Sequence, residues 1–301
     1  MIILETDRLD KSYGAVHAVN KLSVTVGSGQ VYGILGPNGS GKTTTLSMLM
    51  GIVAPDSGSF RWFGEKPSPL ANRRIGALIE TPNFYPYLNL EQNLKIVCRI
   101  KDIDERDISR VISLVGLRER SLSRFATLSL GMKQRLALGS LLLGDPEVLV
   151  MDEPTNGLDP EGIAEVRDLI RQVAATGKTI LMASHILDEV EKVCTHVVVL
   201  KKGDKLAEGK VDSLIQGKDV IILESEEPEK LDTALRQSAM VESFSREGNE
   251  FNVVVKSDVK HADLSKELIG QGIILTRMEV RKNKLEDQFL ELVKQNNTPK
   301  P

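Results

Sequence analysis

Gly36-Pro37-Asn38-Gly39-Ser40-Gly41-Lys42-Thr43 satisfies every fixed position of the pattern G-x-x-x-x-G-K-[ST]. The apolar run Gln30-Val-Tyr-Gly-Ile-Leu35 before it has strand character, and Thr44-Thr-Leu-Ser-Met-Leu-Met50 after it suits the opening of a helix. In that setting the stretch reads as a loop that holds the phosphates of a nucleotide. Gly36, Gly39 and Gly41 let the backbone curl so that successive N–H groups face phosphate oxygens, and the following helix adds its positive end. Lys42 then reaches the outer phosphates, while the Thr43 hydroxyl holds Mg²⁺. A glycine-rich turn that merely carries a lysine is the plain alternative, and the flanking strand and helix weigh against it.

A second segment supplies acids. Val148-Leu-Val-Met151 runs into Asp152-Glu153-Pro154. In an α/β sheet a buried strand delivers residues at its carboxyl end, beside the phosphate loop. There Asp152 can hold Mg²⁺ and Glu153 can polarise an attacking water as a general base. Paired acids after a strand are also common on surfaces, so this segment gains its weight from the loop upstream.

Between the two lies Leu128-Ser129-Leu130-Gly131-Met132-Lys-Gln-Arg135-Leu-Ala. Here the chain resembles the ATP-binding subunits of ABC transporters, whose signature reads L-S-G-G-Q ahead of a basic helix. Ser129 and Gly131 match; Leu130 and Met132 stand in place of Gly and Gln. The resemblance implies that Ser129 and Gly131 bind the γ-phosphate of ATP held by the other subunit of a head-to-tail dimer. On the residues alone, Ser129 reads equally as the N-cap of the helix containing Arg135. Asn156-Gly157-Leu158-Asp159 is similar to the family's interface-crossing loop, or is a plain turn before a helix starting at Pro160. Thr179-Ile-Leu-Met-Ala-Ser-His185 is another strand with a polar end, and the resemblance makes His185 the switch histidine. Tyr13, in Lys11-Ser-Tyr-Gly, resembles the aromatic on which adenine stacks. His17, His196 and His261 fit no motif.

The resemblance covers roughly residues 1 to 215. It implies an ATP-binding set of Tyr13, Gly36, Pro37, Asn38, Gly39, Ser40, Gly41, Lys42, Thr43 and Thr44. Glu153, His185 and Lys42 would be catalytic, and Thr43, Asp152 and Glu80 would serve Mg²⁺. Glu80 is a departure: after Arg74-Ile-Gly-Ala-Leu-Ile79 the family normally has Gln. Glu there, with a signature lacking its second Gly, resembles the transporters of lantibiotic and bacitracin self-protection.

Composition limits the partners. A formal net charge of −3 and a single Trp argue against a nucleic-acid surface. No apolar run approaches the ~18 residues of a membrane span, and Met1-Ile-Ile-Leu-Glu-Thr-Asp-Arg8 has no export signal. Cys98 and Cys194 neither form a disulfide framework nor join a metal group. The expectation is a cytoplasmic ATPase, peripheral to the membrane through an integral permease, working as a homodimer or as a heterodimer with a similar subunit. A soluble ABC ATPase of translation or DNA repair is the rival class; one phosphate loop and no heptad run speak against it.

The expected fold class is α/β: a P-loop NTPase, ABC-ATPase domain over 1–216 with a RecA-like core, a β-rich subdomain and a helical subdomain at about 88–143. Gly58-Ser-Phe-Arg-Trp-Phe63 reads as a strand of the β-rich part. The segments from Leu90 and Ile108 carry i, i+3, i+4 apolar spacing, and Val148–Met151, Thr179–Ala183 and Val197–Leu200 read as buried parallel strands. Residues 217–301 suggest a small α+β module in β-α-β-β-α-β order, ferredoxin-like. Its strands are Val220–Leu223, Phe251–Val255 and Ile273–Met278, its helices Leu231–Gln237 and Ala262–Ile269, and a last helix is expected over Leu285–Val293.

Overall fold

The computed structural model describes residues 1–80, 83–214, 219–256 and 259–281. The chain divides into two compact units, one ending at Val211 and the other starting at Asp212. The domain boundary expected at 216/217 and the helix expected over 285–293 both lie outside the described residues.

In the first unit, β1 (Ile2–Tyr13), β2 (Val16–Leu22) and β3 (Thr25–Gly27) lead to β4 (Val31–Leu35), α1 (Lys42–Leu49), β5 (Ser57–Trp62), α2 (Pro69–Arg73) and β6 (Ile75–Leu78). β1 pairs antiparallel with β2, β3 and β5, giving a four-stranded sheet. The single Trp, Trp62, is 1% exposed, and its indole N–H donates to the Leu49 carbonyl at 2.9 Å. It thus ties β5 to the end of the helix that follows the phosphate loop. Removing a buried side chain of this size costs about 3–5 kcal/mol.

Three helices follow, α3 (Leu90–Lys101), α4 (Ile108–Leu114) and α5 (Leu130–Leu142). Asn89 and Gln92 form a reciprocal cap at the start of α3. One turn in, the buried Asn93 accepts from the Tyr85 N–H at 2.8 Å and donates to the Tyr85 carbonyl at 3.1 Å. A side chain therefore supplies the pairing that the loop backbone lacks, and it fixes the loop at Tyr85.

The central sheet is completed by β7 (Val148–Asp152), α6 (Pro160–Ala175), β8 (Thr179–Ser184), α7 (Leu187–Val193), β9 (His196–Lys201) and β10 (Asp204–Lys210). Its order is β10-β9-β4-β8-β7-β6, parallel throughout except at β10. β4, β7 and β8 are buried at every residue, as strands covered on both faces must be. The carboxyl ends of β4, β7 and β8 are neighbours, so one edge of the sheet gathers the phosphate loop, Asp152-Glu153 and His185.

After α8 (Val211–Leu214), the second unit runs β11 (Val220–Ser225), α9 (Pro228–Gln237), β12 (Val241–Glu247), β13 (Glu250–Val255), α10 (His261–Gly270) and β14 (Leu275–Arg281). Its sheet order is β12-β13-β11-β14 with antiparallel neighbours, the ferredoxin-like arrangement. Ile221, Leu223, Phe251 and Val253 face Leu231, Leu235, Leu264 and Leu268 in its own core. Ile273, expected to open the last strand, instead packs into that core from the preceding turn.

Candidate active site

The phosphate loop is fixed by close backbone approach. A Cβ on Gly36 would stand 2.3 Å from the Leu200 carbonyl oxygen. One on Gly41, whose φ is 103°, would stand 2.1 Å from that of Ala18. Neither position has room for a side chain, and Gly41 also needs a left-handed backbone. Lys42 is 5% exposed and donates to the carbonyls of Gly36 at 2.8 Å and Pro37 at 3.2 Å. Ser40 Oγ is buried with no hydrogen-bond partner. A buried hydroxyl left unmet inside a glycine loop fits a site that takes its missing acceptor from a ligand.

At the end of β7, Asp152 is 7% exposed and its Oδ1 also has no partner. Burial pushes its carboxyl pKa above the usual range; the Thr43 hydroxyl and Lys42 pull the other way, while Glu153 and Glu80 add to the rise. Asp152, Thr43, Lys42, Glu153 and Glu80 thus share one electrostatic environment. Glu80 is exposed just past β6, at φ 64°. Among the described residues no three His, Cys, Asp or Glu side chains make a ready metal cage. That suits Mg²⁺, which binds through one or two protein oxygens together with phosphates. The orphan Asp152 oxygen beside the Thr43 hydroxyl fits it.

Glu153 holds a left-handed backbone, φ 47°, and its N–H donates to the Ala183 carbonyl at 3.0 Å. Its carboxylate is bracketed: Oε1 lies 3.3 Å from Lys42 Nζ and Oε2 lies 2.8 Å from His185 Nδ1. The His185 N–H also donates to Oε2, at 3.3 Å. A carboxylate between a cation and an imidazole is positioned for proton transfer once a ligand draws those partners away.

Other expected site residues stand apart. Ser129 caps α5, its Oγ accepting from the Met132 N–H at 3.2 Å, so the N-cap reading of this residue holds. Together with Gly131, Gly157 and Asp159 it lines a separate cavity of about 410 Å³ that no phosphate-loop residue borders. Asp159 caps α6, which starts at Pro160. Tyr13 ends β1, half exposed, with Lys11 Nζ 5.6 Å from its ring centre. His17 pairs with Asp10, and His196 contacts Thr195.

Two residues of the centre carry no motif. Thr155 is 4% exposed and donates its hydroxyl to Oε2 of Glu189, itself 3% exposed on α7. The sequence does hold a sign of Glu189. Val190 and Val193 put an apolar stripe on α7, and an acid at 189 interrupts it.

Comparison with known proteins agrees with this geometry. Residues 19–156 match the ABC transporter family model. The chain is 36% identical to the bacitracin transport ATP-binding protein BcrA of Bacillus licheniformis over 309 residues, covering 97% of each. It is 37% identical to the Nod factor export ATP-binding protein I of Paraburkholderia xenovorans, covering 96% of each. Among solved structures, the ADP conformation of an ATP-binding cassette of an ABC transporter superposes with a TM-score of 0.64 at 25% identity. That match covers 71% of this chain and 92% of the other. The chain belongs to the ATP-binding proteins of ABC transporters. It binds and hydrolyses ATP.

Proposed function

We propose that this chain energises a separate integral membrane permease that exports, or confers resistance to, a peptide antibiotic or drug. The observation that carries the reading is the Lys42–Glu153–His185 cluster at the phosphate loop, in a chain whose full-length relatives include bacitracin-transport and Nod-factor-export ATP-binding proteins. The loop from Gly36 to Thr44 cradles the phosphates and Tyr13 supports the adenine. Lys42 leaves its loop carbonyls for the outer phosphates. Glu153 takes the proton of the attacking water, and His185 contacts the γ-phosphate and orients Glu153. Thr43, Asp152 and Glu80 hold Mg²⁺, which offsets phosphate charge when bound.

Ser129 and Gly131 act in trans. The exposed Ser129 and half-buried Gly131 at the start of α5, and their separation from the loop of their own chain, favour a site completed by a second subunit, the same chain or a similar one. The aromatic segment 81–87, whose first two residues lie outside the described ones, contacts the permease. Phe84 stacks against Phe125, with ring centres 5.1 Å apart, while Tyr85 and Tyr87 remain 47% and 66% exposed. Among the described residues no helix is long and apolar enough to cross a membrane. In the proposed reading the chain is held at the membrane by the permease, on the cytoplasmic side. Nucleic acid is not a partner. For the C-terminal unit the proposed roles are packing, dimerisation or regulation.

Purification from detergent-solubilised membranes tests the reading. A multi-span protein should co-purify, and deleting the chain should sensitise the cell to bacitracin or a related peptide. Quantitative recovery in the soluble fraction without such a partner would favour the translation or repair class.

A further inference from the structure

The Thr155–Glu189 contact lies directly behind the hydrolytic centre. Thr155 is the last buried residue before Asn156 and Gly157 become exposed, and its carbonyl accepts from the Leu158 N–H at 3.2 Å. The segment that carries Glu153 on one side and the interface loop on the other is therefore rooted at Thr155. Glu189 sits in the first turn of α7, four residues after His185, where the helix dipole favours an acid. The contact joins the two segments whose side chains meet at Glu153 and His185.

Its surroundings make the contact specific. Glu189 Oε1 is buried without a hydrogen-bond partner, and so is Arg167 Nε on α6. Glu153, His185 and Arg167 all act electrostatically on Glu189. A buried acid is not kept for stability alone, because an apolar residue of similar size commonly serves packing as well or better.

We propose that Glu189 is a positioning residue for ATP hydrolysis. Through Thr155 it fixes the Glu153 segment, and through α7 it fixes His185, so that the carboxylate and the imidazole keep the 2.8 Å relation seen here. It acts through Thr155 and α7. Because Thr155 also roots the Asn156–Asp159 loop, the same contact ties that exposed loop to the hydrolytic pair. The proposal rests on placing the hydrolytic centre at Glu153 and His185.

The test uses the full-length chain with ATP and Mg²⁺, comparing Thr155→Val, Glu189→Ala, Glu189→Gln and the Thr155→Val/Glu189→Ala double variant. Thr155→Val and Glu189→Ala should each lower kcat about 10-fold, since small misplacements of a catalytic group cost that much or more, while KM for ATP stays within about 2-fold. The double variant should be no slower than the worse single, because one contact is lost either way. Glu189→Gln keeps an oxygen for the Thr155 hydroxyl and should recover most of kcat. Unchanged kcat in Thr155→Val overturns the proposal even if Glu189→Ala does not fold, as does a Glu189→Gln variant as slow as Thr155→Val. Losses that multiply in the double variant overturn it too, as does lowered melting temperature with normal kcat. Glu153→Gln is the control: if that variant turns over normally, the placement of the centre fails, a result distinct from failure at Glu189 alone.

Discussion

Glu153→Gln should separate hydrolysis from nucleotide binding, and the geometry gives each effect a size. The amide matches the carboxylate in shape and keeps one oxygen for His185, whose Nδ1 lies 2.8 Å away. It can no longer take a proton. Loss of a positioned general base costs about 10²–10⁴-fold in turnover, or roughly 3–5 kcal/mol of barrier. The second effect concerns Lys42, 3.3 Å from Glu153 Oε1, with the two side chains 5% and 19% exposed. Unit charges at that distance attract by about 5 kcal/mol at an effective dielectric of about 20. Desolvation offsets most of this, leaving a net hold on Lys42 of about 1 kcal/mol. Lys42 must leave Glu153 to reach a phosphate, so the variant should bind ATP as tightly as the wild type, or up to about tenfold tighter.

Phosphate release at saturating ATP measures the first effect, and equilibrium titration with a fluorescent ATP analogue measures the second. The variant should also accumulate as an ATP-bound dimer on size exclusion. Turnover within a few-fold of wild type refutes Glu153 as the base. Affinity weakened more than about tenfold refutes the competition for Lys42.

His185→Ala should lower turnover about 10²-fold with a melting temperature within a few degrees of wild type, since the side chain is 36% exposed; a collapsed melting temperature with normal specific activity reverses that assignment. Asp152→Asn should stabilise the nucleotide-free chain at neutral pH. Burial raises the Asp152 pKa, so its favourable contribution is full below the ordinary carboxylate range and is lost as pH rises through the raised value. Denaturant melts should therefore show a gain at neutral pH that shrinks to nothing under acid conditions, together with loss of stabilisation by Mg²⁺ and ATP. The opposite pH trend would refute it. Glu80→Gln should keep ATPase activity at a reduced level, and Glu80→Ala should weaken Mg²⁺ dependence further. Transport or resistance in cells should fall more than ATP hydrolysis by the isolated subunit; unchanged values in both variants would make Glu80 an ordinary surface acid.

The parts of the fold that were legible are those where one residue pattern meets one physical demand. Buried parallel strands read as apolar runs, so Val31–Leu35, Val148–Met151 and Thr179–Ala183 stood out, and the polar residues at their ends marked the site. Gly41 was legible as a loop residue, but the reason it must be glycine lies in Ala18, a strand far away in sequence. β10 was not legible. Its Asp-Lys-Leu-Ala-Glu-Gly-Lys sequence is polar because it is an antiparallel edge, paired only with β9. β12 was implied by the order of the second unit without being located, for the same reason: Val-Glu-Ser-Phe-Ser-Arg-Glu is an edge strand with mostly exposed side chains. Glu189 was missed because its meaning depends on Thr155, a partner set by the fold and by no local pattern.

Both oxygens of Glu153 are engaged in the nucleotide-free arrangement, one by Lys42 and the other by His185. A carboxylate so occupied is a poor acceptor for a water proton. The groups that occupy it are the two to which the proposed function assigns phosphate contacts. On that assignment an arriving triphosphate would compete for Lys42 and His185 and free Glu153, so the base would become available only when there is something to hydrolyse. The same arrangement decides which form of the substrate the site accepts. Asp152, Glu153 and Glu80 set three carboxylates beside the Lys42 ammonium; burial raises the pKa of Asp152, and the charges of Glu153 and Glu80 add to the rise. Free ATP would add negative charge to a centre already short of cations, whereas ATP carrying Mg²⁺ brings the charge that Asp152 Oδ1, buried and unmet, lacks. On the proposed function, the site favours the metal complex of the nucleotide, with catalytic readiness tied to its arrival.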